Sequence, residues 1–327
     1  MKAIKFFAIS AMAAAMITSC STDDELSQSN YPSDNIVRVT AGVNNAKTRA
    51  EGAGTEMKND FSLTIVNKNA PKYTYTDKVF SKSSGDWACS ETLLWQKSDA
   101  LVDIAAFAPA QTGKFNGVYA EGSIQPIAYS VASDQSTASD KNDLLYYYAP
   151  GFNPGKSLDK GKLNIQFNHA FCMIDINVTL GTEFNKPNVL KESPIVKVTL
   201  GGTKIAANVD VTKAASVVTV SETDAPTTIT TTKGSFDKAA NAEANAKSRF
   251  SCIAIPQTVA GKTFKVSLIT AGKRYEWTSA TPVELKSGYK YTLELSMGNN
   301  VVLLKNGSIS ASPWTEGDTG DKPLETD

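Results

Sequence analysis

The sequence predicts an all-β fold arranged as two β-sandwiches, and three observations carry that prediction. Apolar and polar residues alternate over short runs along most of the chain. Those runs are rich in Thr, Val, Tyr and Ile, the side chains that suit a pleated, half-buried surface. Gly, Pro and Asn turns break them at short intervals, as sandwiches require. Of the 327 residues, the 308 that follow residue 19 are too many for one ordinary core and comfortable for two.

The predicted strands follow in chain order. "DFSLTI" sets Phe61, Leu63 and Ile65 on one face, and "KLNIQF" does the same with Leu163, Ile165 and Phe167. "MIDINVTL" continues with Ile174, Ile176, Val178 and Leu180. "VKVTL" gives Val196, Val198 and Leu200; "FKVSL" gives Phe264, Val266 and Leu268. "YKYTLEL" gives Tyr289, Tyr291, Leu293 and Leu295. Turns are expected at "NPG" (153–155), "LGG" (200–202), "KSG" (286–288) and "KNG" (305–307). Only "FDKAANAEANAKS" (236–248) carries helix-favouring alanines, and its weak apolar stripe fits a decorated loop equally well.

The stretch "APGFNPGKSLDKGK" (149–162), rich in Gly, Pro and Lys, marks the expected domain boundary. The sequence thus divides into an export signal (1–19), a polar tether (20–35), an N-terminal sandwich (36–158), a C-terminal sandwich (159–314) and an acidic tail (315–327).

The N-terminus sets the expected location. Lys2 and Lys5 precede a short apolar run, too short to span a bilayer, and small residues then lead to Cys20. This pattern predicts a lipoprotein signal in which Cys20 becomes the acylated first residue, anchored in the outer membrane. Asp23, Asp24 and Glu25 follow, resembling an acidic surface-export tag and serving equally as a solvated tether.

Composition excludes several functions. The chain holds 33 basic and 33 acidic residues. Loss of residues 1–19 leaves a charge of −2 and no basic stripe, so no nucleic-acid partner is expected. Cys89, Cys172 and Cys252 follow no metal or disulfide spacing; Cys172 and Cys252 lie in apolar runs and are expected as buried thiols. His169 is the single histidine and reads as a hydrogen-bonding residue at a strand end. No nucleophile–base motif, zinc motif or phosphate loop occurs, so neither an enzyme, a cofactor nor a metal site is expected. Asp318 and Asp321 lack the ligand count of a calcium loop.

Several stretches together resemble the fimbrillin family, the type V pilin subunits and their Mfa-like relatives. They are the Cys20 lipobox with its acidic follower, "AKTRA" (46–50), "VDIAAFAP" (102–109) and "ASDQSTASDKNDLLYYYAP" (132–150). "LNIQFNHAFCMIDINVTL" (163–180), "KSGYKYTLEL" (286–295) and the closing "ISASPW" (309–314) complete the series. Each motif is weak alone; their order along nearly the whole chain carries the resemblance.

The resemblance implies two tandem transthyretin-like (Ig-like Greek-key) sandwiches in a surface fimbrium, with other fimbrial subunits as partners through strand addition. It implies that a first strand, with Val37, Val39, Ala41 and Val43 inward, is displaced after cleavage between Arg49 and Ala50. It implies a donor strand from a neighbour within 301–314, offering Val302, Leu304 and Ile309. Without the resemblance, Arg49 reads as a surface charge and both segments as permanent strands. The long tail past Trp314 points toward a tip or anchor subunit. The competing reading is an anchored, unpolymerised lipoprotein that binds surface glycans through Trp87, Trp95 and Tyr146–Tyr148, aromatics that serve equally as core.

Overall fold

The computed structural model describes residues 30–44, 55–57, 59–110, 119–120, 123–137, 142–214, 216–304 and 309–314. The expected export signal (1–19), Cys20, Arg49, Ala50, the turn expected at 305–307 and the tail 315–327 lie outside them. The described fold is all-β, and its helices are single turns such as Pro71–Tyr73, Pro154–Ser157 and Thr182–Asn185. Residues 238–246 form a loop between strands Thr232–Asp237 and Lys247–Ala254, so the alanine-rich stretch is not helical.

An eight-stranded sheet runs in the order Thr55–Glu56, Val39–Val43, Leu163–His169, Leu145–Phe152, Val102–Ala108, Phe61–Val66, Tyr75–Ser83 and Asp86–Cys89. A second sheet runs Thr232–Asp237, Lys247–Ala254, Cys172–Leu180, Tyr289–Met297 and Val302–Leu304, with Ser310–Pro313 also paired to Tyr289–Met297. A four-stranded sheet orders Thr227–Thr230, Ile195–Thr203, Lys265–Thr270 and Arg274–Thr278. Strand Ile127–Ser130 crosses to pair with Ala206–Val209, which continues to Val218–Val220.

Two apolar cores result. The first gathers Val37, Val39, Val43, Phe61, Leu63, Trp95, Ile104, Leu163, Ile165 and Phe167, among others. The second fills with Ile174, Ile176, Val178, Leu200, Phe264, Leu268, Leu293 and Leu295. Strand Val102–Ala108 is a wall between them: Val102, Ile104, Ala106 and Ala108 face the first, and Ala105 and Phe107 the second. Tyr147 and Tyr146 split between the same two cores on the neighbouring strand. Leu163–His169, beyond residue 158, contributes to the first core, while Ile127–Ser130, before it, joins a sheet of the second.

Three predicted details change. Phe61–Val66 is buried on both faces, Ser62 and Thr64 included, because it is an inner strand of the wall sheet rather than a half-solvated one. Val196 is 61% exposed. A register shift between Ile195 and Lys197 turns Ile195 inward in its place. "LGG" is a bulge inside strand Ile195–Thr203, not a turn between strands. Gly202 adopts φ +91°, and a Cβ there would lie 2.1 Å from the Thr263 carbonyl oxygen. The "KSG" turn is present, with Gly288 at φ +71°. Cys89, Cys172 and Cys252 are free thiols, the last two buried.

Candidate functional site

The segment entering the first strand is fixed before the strand begins. The Asp34 carboxylate accepts two hydrogen bonds from the Arg38 guanidinium, at 2.9 and 2.6 Å, and one from the Ile36 amide. Those bonds, Arg38 foremost, hold its carboxyl at about 2. The Val37 amide donates to the Leu93 carbonyl at 2.9 Å, and the Trp95 amide to the Asn35 carbonyl at 2.8 Å.

Val39–Val43 then pairs in parallel with Leu163–His169, Val39 opposite Leu163 and Val43 opposite Phe167. The Asn44 amide closes the ladder on the Phe167 carbonyl at 2.7 Å. On its outer side the strand meets only Thr55–Glu56, through Gly42 and Val43, so most of that edge has no ladder partner among the described residues. Val37, Val39 and Val43 are buried and Ala41 half-buried, all four packed into the first core. Burial of the three valines supplies on the order of 5 kcal/mol. The strand is an apolar insert at a sheet edge, linked to Thr55–Glu56 through the residues that include Arg49.

The C-terminal segment occupies the other sheet. Val302–Leu304 pairs antiparallel with one end of Tyr289–Met297, Leu295 opposite Leu304. Ser310–Pro313 pairs with the other end, Tyr289 opposite Pro313. Val302 is buried, and Leu304 and Ile309 pack against the second core. The three inward residues predicted for a donor therefore do face a core, and that core belongs to their own subunit. Val301 and Leu303 point outward, 49% and 59% exposed.

Sequence reasoning missed what ends this segment. Trp314, 8% exposed, stacks on His169 with ring centroids 3.7 Å apart and planes within 15°. The Trp314 amide donates to the Gly288 carbonyl at 2.7 Å, and the Gly288 amide to the Phe171 carbonyl at 2.9 Å. His169 Nδ1 lies 2.8 Å from Asp143 Oδ2. His169 is thus a hydrogen-bonded residue at a strand end, and it also carries a ring stack. It sits two positions beyond Phe167, the partner of Val43, so the C-terminal segment ends beside the strand that seats the first one. The sequence signals were present in "FNHAF" and "SPW", but nothing local joins them.

The aromatic candidates for glycan binding are engaged elsewhere. Trp95 is 3% exposed and stacks with Phe152, while half-buried Trp87 packs edge-on against Phe61 at 4.9 Å. Among the described residues no group of three or more His, Cys, Asp or Glu side chains gathers as for a metal ion.

A profile of fimbrillin-like proteins matches residues 48–314, which take in the C-terminal segment and begin just after the first strand Val39–Val43. The chain belongs to the fimbrillin-like family. Solved structures share the fold. A candidate cell-adhesion protein of Bacteroides ovatus superposes with TM-score 0.60 at 15% identity, covering 85% of this chain and 97% of its own. Another from Bacteroides uniformis gives 0.55 at 15%, covering 87% and 100%. A fimbrial protein of Bacteroides vulgatus gives 0.53 at 14%, covering 86% and 99%. No curated protein matches the chain.

Proposed function

We propose that this fimbrillin is a structural subunit of a surface fimbrium, exported as a lipoprotein acylated at Cys20 and assembled by strand exchange. Cleavage between Arg49 and Ala50 severs the covalent tie between the first strand and the rest of the fold. It also frees the subunit from its lipid, because Cys20 lies upstream. The strand bearing Val37, Val39, Ala41 and Val43 is then held by hydrogen bonds and apolar contact alone. Its departure opens a groove over Leu163, Ile165 and Phe167, which a strand of a neighbouring subunit refills. The neighbour's 301–314 segment, offering Val302, Leu304 and Ile309, supplies that strand. Adhesion to host or bacterial surfaces follows from the fibre.

The observation that carries this reading is the seat of the first strand: deeply apolar on one face, yet for most of its length laterally paired along one edge only among the described residues. The test is to treat the purified chain with an Arg-specific protease and follow oligomers by gel. Wild type forms a ladder after cleavage at Arg49, and Arg49→Ala remains monomeric. A monomeric cleaved wild type, or an Arg49→Ala protein that polymerises normally, overturns the mechanism. The glycan-binding alternative would rest chiefly on half-buried Trp87 and Tyr146–Tyr148, since Trp95 is spent on packing.

A further inference from the structure

We propose that Trp314 and His169 form a latch that holds the C-terminal segment in its own subunit, with Asp143 as the residue that positions the imidazole. The strand it secures is otherwise weakly held. All four side chains of Ser310–Pro313 are exposed, so this strand contributes backbone hydrogen bonds and almost no burial. Ile309, just before it, is only partly buried. Trp314 is the one deeply buried side chain described after Val302, and it lies at the end of the segment, where a single anchor restrains the whole strand.

The seat is built by residues distant in sequence. Asp143 fixes the His169 ring from one side, the indole covers it, and the Gly288 turn ties both to Phe171. Yet the seat is not fully satisfied. His169 Nε2 and Asp143 Oδ1 are buried without a hydrogen-bond partner. Lifting Trp314 lets water reach such groups, which offsets part of the lost stacking. The latch is therefore strong enough to close the edge and biased toward release when a better partner for the segment exists. Its consequence for assembly rests on the strand-exchange reading above: opening the latch is the step that converts a self-docked segment into a donor.

Hydrogen exchange on the intact, uncleaved chain tests the latch without any assembly. Trp314→Ala and His169→Ala are expected to speed exchange of the 310–312 amides by about tenfold or more, leaving the Ile174–Val178 amides unchanged. Trp314→Phe and His169→Phe, which keep a ring in the stack, retain most of the protection. Should Trp314→Ala fail to fold, His169→Ala against His169→Phe carries the same comparison. Unchanged protection in both alanine variants overturns the latch, even if the wild-type protein polymerises after cleavage. Accelerated exchange with no ladder in any cleaved variant leaves the latch standing and removes the exchange mechanism instead.

Discussion

Val43 lies opposite Phe167 on a parallel ladder, fully buried, 124 residues away in sequence from the strand residue it pairs with. That pairing ties the first strand to the first core through a partner distant in sequence, while its near neighbour Thr55–Glu56 meets only Gly42 and Val43. Val43→Ala is expected to destabilise the chain by about 2 kcal/mol, from lost burial plus the cavity left against Phe61 and Phe167. Half-buried Ala41→Ser should cost within about 0.5 kcal/mol. Urea denaturation midpoints measure both, and equal costs at the two positions would contradict the seat as described.

Gly202 is held in place by backbone geometry. With φ +91° and the Thr263 carbonyl oxygen 2.1 Å from any added Cβ, Gly202→Ala must move one strand of the four-stranded sheet. We expect a loss of about 2 kcal/mol or more. Gly272→Ala, with nothing within 4 Å, serves as the control and should lie within about 0.5 kcal/mol of wild type in thermal melts.

Asp77 sets a pH dependence. It occupies the irregularity between Phe61–Val66 and Tyr75–Ser83 at φ +48°, where burial raises its carboxyl to about 6 despite the Thr64 hydroxyl nearby. A raised pKa means that the folded chain holds a proton the unfolded chain has lost between about pH 4 and 6. The contribution of Asp77 is therefore present below that window and is lost as the pH rises through it. Asp77→Asn, whose side chain also tolerates positive φ, should stabilise the chain at pH 7.5 by about 1 kcal/mol, after discounting for half-burial, and not at pH 4. Equal effects at the two pH values would refute this assignment.

Thiol accessibility separates the cysteines. Burial pushes the Cys172 and Cys252 thiols well up, and Cys172 Sγ donates to the Ala254 carbonyl at 3.2 Å. Cys89, half-buried on the edge strand Asp86–Cys89, is the accessible one. In a Cys20→Ser chain, a thiol reagent should label one site at pH 8 without denaturant and three with it. Labelling of Cys172 or Cys252 in the folded protein would mean that the second core opens readily.

Much of the fold was readable because its physics is local. Phe264, Val266 and Leu268 alternate in sequence and are all fully buried, as are Ile174, Ile176, Val178 and Leu180. Val196 was misread because a bulge changes the phase of the alternation, and a bulge is set by the partner strand rather than by the residues it displaces. Ser62 and Thr64 could not be predicted as buried, since the second layer over them comes from elsewhere in the chain. Val37, Val39, Ala41 and Val43 were legible as a period-two set, whereas Val302, Leu304 and Ile309 came only from the family resemblance, Ile309 falling out of phase with the other two. The partners of both segments were not legible: the parallel pairing with Leu163–His169 and the stack of Trp314 on His169 each join residues more than 100 positions apart.

The central claim, that the first strand is given up on assembly, is tested most directly by the N-terminal content of fibres recovered from the cell surface. Mass spectrometry of the assembled fraction should find Ala50 as the first residue and no peptide spanning Val37–Val43. Peptides containing Val37–Val43 at one copy per subunit in the fibre would contradict it.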